Sequence, residues 1–100
     1  MGDRFRNLID GKWVESASGT AFDDINPANR ADVVGTFPRS DHRDVDRAVE
    51  AARTQFASWS RVPSLRRSEI LYHTARIAEE RAEGLAGIIV RETGKLLSEA

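Results

Sequence analysis

Two histidines, two pairs of adjacent acids and one Glu-Thr-Gly-Lys run are the residues whose types could do chemistry. His42 and His73 invite a metal or acid–base role, because an imidazole changes charge near neutral pH. Neither has a second histidine or a carboxylate at a recognised metal-ligand spacing, so both read as surface residues. Asp23-Asp24 and Glu79-Glu80 are neighbouring carboxylates. Neighbours on a strand point to opposite faces and neighbours on a helix diverge, which argues against a shared-proton pair. Glu92-Thr93-Gly94-Lys95 has the look of a binding loop. A helix end explains it as well: glycine takes the left-handed cap, and lysine meets the negative end of the dipole. The chain contains no cysteine and therefore supplies no thiolate nucleophile, no thiolate metal site and no disulfide. It has no G-x-G-x-x-G and no Walker-type loop, and Gly84, Gly87 and Gly94 are too scattered to cradle a phosphate.

The elements that must position these residues divide into a β-rich first third and a helical remainder. Phe5 to Ile9 and Lys12 to Val14 flank Asp10-Gly11, whose two residues suit the positive φ angles of a type I′ hairpin turn. Ser16 to Gly19 is a second turn cluster, followed by a strand over Thr20–Asn26 that Pro27 halts. Asn29-Arg30 makes a connection, and Val33 to Phe37 forms another strand before Pro38. The expectation is a β-meander over residues 1–38.

Residues 40–100 read as helices. Ser40 or Asp41 caps the first, in which Val45, Ala48, Val49, Ala52, Phe56 and Trp59 recur along one face. Asp46, Arg47, Glu50 and Arg53 occupy the other. After Arg61-Val62-Pro63, Ser64 can cap a second helix with Leu71, Ala75, Ala78 and Ala82 on its apolar face. Gly84 and Gly87, each costing about 1 kcal/mol in a helix interior, suggest a break and a separate short helix from Leu85 to Arg91. Gly94 suits its left-handed end. Leu96, Leu97 and Ala100 begin a further apolar periodicity, and the expectation is a chain truncated there. Trp13 and Trp59 read as packing anchors.

With 15 basic and 16 acidic residues and a net charge of −1, the chain lacks the basic excess of a nucleic-acid binder. The polar stretch from Met1 to Asp10 is not a signal peptide, and no apolar run is long enough to cross a bilayer. These features point to a cytoplasmic protein without nucleic-acid or membrane partners. There is no internal repeat.

Several motifs in order make a stronger statement than any one of them. Ile9-Asp10-Gly11-Lys12-Trp13-Val14 is followed by Ile25-Asn26-Pro27-Ala28 and by Asp44 to Arg53. Phe56 to Trp59, Arg67 to Leu71 and Glu92-Thr93-Gly94-Lys95 complete the series. Together they resemble the N-terminal segment of the aldehyde dehydrogenase superfamily, from about Asn7 onward. Val34 to Ser40 and Arg91-Glu92 resemble most closely the members that act on small semialdehydes. Leu96 departs from the pattern, since many relatives have proline after the Gly-Lys pair.

The resemblance implies an α/β fold, of which this chain is the N-terminal meander and two or three helices of the dinucleotide-binding domain. It implies an aldehyde substrate, NAD or NADP as cofactor, and a homo-oligomeric enzyme, dimer or tetramer. In such an enzyme a cysteine thiolate attacks the aldehyde, hydride passes to the cofactor, and a glutamate activates water to release the acid. The motifs that carry those groups match nothing in this chain, so no catalytic and no cofactor-binding residue is transferred to it. One ligand position is transferred: some members hold a monovalent cation partly through backbone carbonyls just before the Asn-Pro turn. That match points to the carbonyl of Ile25, with Asp24 as a second candidate; a turn serving only chain reversal is the competing reading. The alternative for the whole chain is a stand-alone interaction module whose helices dock a partner.

Overall fold

The structure, a computed structural model, describes residues 3–100; Met1 and Gly2, which open the polar N-terminal stretch, lie outside them. Five short strands precede three helices: β1 (Asp3–Arg4), β2 (Asn7–Ile9), β3 (Lys12–Val14), β4 (Ala21–Ile25), β5 (Val33–Pro38), α1 (His42–Trp59), α2 (Ser64–Glu80) and α3 (Ala82–Thr93). A single 3-10 turn over Leu97–Glu99 follows. The strand-then-helix order agrees with the expectation from sequence.

The hairpin β2–β3 closes through Asp10 and Gly11, whose φ angles are 54° and 71°. These are the positive values a type I′ turn needs. Leu8 pairs with Trp13 across it. The strands do not form one continuous meander, however. β2 and β3 make a two-stranded sheet, and β1, β5 and β4 make a separate three-stranded one in that order. The run expected over Phe5–Ile9 breaks because Asp3 and Arg4 pair in parallel with Gly35 and Thr36 of β5. Gly35 permits this close approach, since a Cβ there would sit 2.5 Å from the Phe5 ring. Phe5 stacks on Phe37 at 4.9 Å, Phe37 meets Phe22 at 6.1 Å, and the Arg39 guanidinium lies 5.4 Å from the Phe22 ring centre.

Helix α1 begins at a reciprocal cap. Asp41 accepts a hydrogen bond from the Arg43 amide while the Asp44 carboxylate accepts one from the Asp41 amide, satisfying two of the amides a helix start leaves open. Asp41, not Ser40, is the capping residue. The same Asp44 carboxylate reaches back to the turn after β3, where the Ser16 hydroxyl donates to it at 2.6 Å and the Ala17 amide at 2.9 Å. Asn7 on β2 donates to Ser40 at 2.8 Å. The helix is thus fixed to the strands by polar contacts at its first turn.

Two boundaries fall elsewhere than expected. Pro63, with no side-chain bond, is the capping position of α2, and Ser64 is already inside the helix. Proline's fixed φ makes it a ready lead-in. The break between α2 and α3 comes at Arg81, where φ is −105° and ψ is 11°, and Gly84 and Gly87 both lie within α3. The heading of α3 is set at its far end, where Arg91 is tied to the β4–β5 loop, so neither glycine has to bend. Gly94 ends α3 at φ 72° as expected.

Burial is unusual for a chain of this length. The buried side chains among the described residues are Ser16 (6% exposed) and Asp44 (3%), and none is hydrophobic. The apolar stripe of α1 is solvent-facing, with Val45, Val49, Phe56 and Trp59 exposed, and Trp13 is 67% exposed. Neither tryptophan is buried within the described residues. No helix among the described residues is long and apolar enough to cross a membrane.

Candidate functional site

The C-terminal end of α3 and the loop between β4 and β5 converge on the Asp24–Ile25–Asn26 corner. The loop is built by asparagine. Asn26 Oδ1 accepts from the Ala28 amide at 2.9 Å and Asn29 Oδ1 from the Ala31 amide at 3.1 Å, local turns that these short side chains favour. The Asn26 amide donates to the Asp32 carbonyl at 3.0 Å, closing the loop. Between Asp24 and Ile25 the pairing with β5 slips by one residue, so Ile25 faces Val33 while Asp24 faces Gly35. Such a bulge turns the strand end out of the regular ladder.

Arg91 joins α3 to this loop. Its guanidinium grips Asp32 in a forked pair, Nη2 to Oδ1 at 2.6 Å and Nε to Oδ2 at 3.1 Å, and Asn26 Nδ2 donates to Asp32 Oδ2 at 3.1 Å. The Arg91 hydrogen bonds, helped by Asn26, hold the Asp32 pKa at about 2. Gly94 packs beneath the loop, where a Cβ would come within 3.3 Å of Pro27. The next residue of α3 after Arg91 is thereby carried to the strand end. The neighbouring Asp24 carboxyl, through hydrogen bonding first and then with desolvation and its negative charge, pushes the Glu92 pKa up.

The corner gathers hard oxygen donors: two carboxyl groups beside the Ile25 peptide, at the negative end of a helix dipole. This chemistry suits a cation with oxygen ligands. It is smaller than a three-residue metal cluster, of which there is none among the described residues. Asp24 and Ile25, the two positions singled out in the sequence, lie side by side here. Glu92 belongs to the run with the look of a binding loop, but it stands 68 positions from Asp24 and nothing in the sequence pairs the two.

The other candidates are not brought together. His42 is the first residue of α1, and His73 is exposed on α2 with Nδ1 2.9 Å from Arg76 Nη2. Thr36 Oγ1 donates to Asp23 Oδ1 at 2.8 Å, so Asp23 serves the sheet while Asp24 turns towards α3. At the start of α1 the Arg43 amide donates to the Asp41 carboxylate and the Asp41 amide to that of Asp44.

The decisive observation comes from comparison. Residues 13–100 match the model of the aldehyde dehydrogenase family. The chain belongs to the aldehyde dehydrogenase family. It is 42% identical over 97 residues to malonate-semialdehyde dehydrogenase 1 of Shouchella clausii (strain KSM-K16), covering 97% of this chain and 20% of that protein. It is 42% identical over 96 residues to the alpha-ketoglutaric semialdehyde dehydrogenase of Bacillus subtilis (strain 168), covering 96% of this chain and 20% of that protein. Its fold superposes on an NAD-dependent aldehyde dehydrogenase from Sinorhizobium meliloti with a TM-score of 0.91 at 37% identity, covering 99% of this chain and 20% of that one. The chain spans about a fifth of the length of these aldehyde dehydrogenases and has the N-terminal part of their fold.

Proposed function

We propose that this chain is the N-terminal part of the dinucleotide-binding domain of an NAD- or NADP-dependent aldehyde dehydrogenase that oxidises a small semialdehyde to the acid. The observation that carries this reading is the 42% identity to two semialdehyde dehydrogenases across almost the whole chain. In that enzyme, a cytoplasmic dimer or tetramer, the nicotinamide cofactor accepts hydride from the substrate. This chain contributes no nucleophile, since it has no cysteine. Its contribution is scaffolding: the forked Arg91–Asp32 pair and the Asn26 turn hold the strand corner.

The corner itself is the proposed cation site. The Ile25 carbonyl, with Asp24 and Glu92 beside it, would hold a monovalent cation, which offsets the repulsion between the two carboxyl groups. Thallium soaked into crystals of the enzyme carrying this segment should give anomalous density beside Ile25. A featureless map there would remove the cation and leave a turn that serves chain reversal alone.

The test of the activity is to extend the coding sequence past Ala100, express the product, and follow NADH or NADPH formation with malonate semialdehyde. Aldehyde-dependent reduction supports the reading. A stop codon at that point, or a longer product that reduces neither cofactor with any aldehyde, overturns it. The 100-residue chain alone is expected to reduce no cofactor at any pH.

A further inference from the structure

The turn of the β2–β3 hairpin holds the one non-glycine residue with positive φ among the described residues, Asp10 at 54°, followed by Gly11 at 71°. The left-handed region is costly for an L-residue, because its Cβ crowds the carbonyl that follows. Both residues are exposed. Among the described residues neither the Asp10 carboxylate nor the Gly11 amide is engaged in a hydrogen bond. Arg4 and Arg6, from the first strands, are drawn to Glu15 instead. A Cβ built on Gly11 would meet nothing within 4 Å, so the peptide between the two residues is free to turn without a clash.

An uncommitted carboxyl beside an uncommitted, unhindered amide is the arrangement in which a chain attacks itself. Asp10 is the single aspartate or asparagine of the sequence that is followed by glycine. A side chain on the following residue hinders its amide from reaching the preceding carboxyl, and glycine has none. The other aspartates differ in this and in their partners. Asp23, Asp32, Asp41 and Asp44 hold their carboxylates in hydrogen bonds, while Asp24 and Asp46 precede Ile25 and Arg47.

We propose that Asp10-Gly11 is a self-modifying turn, in which Asp10 converts through a cyclic imide to isoaspartate and releases β2 from its register with β3. The Gly11 nitrogen attacks the Asp10 side-chain carboxyl carbon. A C–N bond forms, a C–O bond breaks, and the amide proton leaves with the carboxyl hydroxyl as water. Water then adds back to the imide. Opening at the side-chain carbonyl restores aspartate. Opening at the main-chain carbonyl leaves the backbone running through the side chain, one methylene longer, with a free α-carboxylate. Nothing is oxidised or reduced, and the water released is the water consumed. The consequence follows from the turn's length: a two-residue loop fixes the register of its strands. Here it sets Leu8 opposite Trp13 and Ile9 opposite Lys12, and an added backbone atom no longer permits that closure. The inference stands on the turn alone, so failure of the family reading leaves it in place.

The test incubates the product extended past Ala100, natively folded, for days at neutral pH in water enriched in heavy oxygen, followed by peptide mapping. A carboxyl methyltransferase that recognises the free α-carboxylate of isoaspartate, with S-adenosylmethionine, marks the altered residue. The expected result is heavy oxygen and methyl acceptance at Asp10, several-fold above every other aspartate. Asp10→Asn keeps the turn and offers ammonia as the leaving group, and should convert several-fold faster. Gly11→Ala should convert several-fold slower. The modified fraction should also be cut by trypsin after Lys12 several-fold faster than the unmodified one, because Lys12 has left its strand. A native turn that takes up no label overturns the proposal, whether or not the denatured chain does. Label spread evenly over the aspartates overturns it too, as does a modified fraction that trypsin cuts no faster.

Discussion

Asp44 carries more of the local architecture than any apolar residue of the chain. Its carboxylate accepts from the Ser16 hydroxyl, the Ala17 amide and the Asp41 amide, and these bonds hold its pKa at about 2, below the ordinary 3.8. A carboxylate whose pKa is depressed by folding contributes stability that is complete above its unfolded value and is lost as pH falls through the folded one. The product extended past Ala100 should therefore be more heat-stable than its Asp44→Asn variant at pH 6, and the difference in midpoint should shrink between about pH 4 and pH 2. A difference that stays constant across that window would contradict the assignment. Ser16→Ala removes the short bond to a charged acceptor, and such bonds contribute about 1.5–3 kcal/mol; the loss should appear in denaturant unfolding of the same extended product. Gly35→Ala sets a methyl against the Phe5 ring. It should cost about 1–3 kcal/mol, as overpacking does, and Phe5→Ala should relieve part of it in the double variant.

At the scale of elements, the features legible in the sequence are those built from neighbours. The Asp10-Gly11 turn, the Asp41 cap, the span of α1 and the left-handed Gly94 all follow from residues within a few positions of one another. The parallel pairing of β1 with β5 spans 32 positions from Asp3 to Gly35, and two residues carry no periodicity to announce it. Likewise the meeting of Glu92 with Asp24 depends on where α3 ends in space, which Arg91 and Asp32 decide. The expected break at Gly84 had its reasoning in helix propensity, but propensity is a weak term that a tertiary tie overrides. Since Gly84 lies within α3 and a Cβ there would meet open space, Gly84→Ala should favour α3 by about 0.5–1 kcal/mol. The helical signal of the 100-residue chain in far-UV circular dichroism should rise accordingly. An unchanged or smaller signal would show that α3 is not formed in the 100-residue chain alone.

For the whole molecule the question is what the chain does without a second layer. Cooperative unfolding needs a core that is lost all at once, and burial of apolar surface is the dominant favourable contribution to folding. Here the buried positions among the described residues are a serine, a glycine and an aspartate, and the hairpin, the three-stranded sheet and the helices meet mainly through polar ties such as Asn7–Ser40, Ser16–Asp44 and Asp32–Arg91. Hydrogen bonds of this kind contribute modestly, since water competes for each of them. The 100-residue chain by itself should accordingly melt over a broad range without a sharp midpoint, and a dye that binds exposed apolar surface should fluoresce strongly with it. The product extended past Ala100 should melt more sharply and bind less dye together, because both effects have the same origin in covering α1 and α3. A monodisperse chain with a steep melt and no dye binding would instead favour a self-sufficient interaction module, with its apolar stripes already satisfied within a copy-to-copy or local contact.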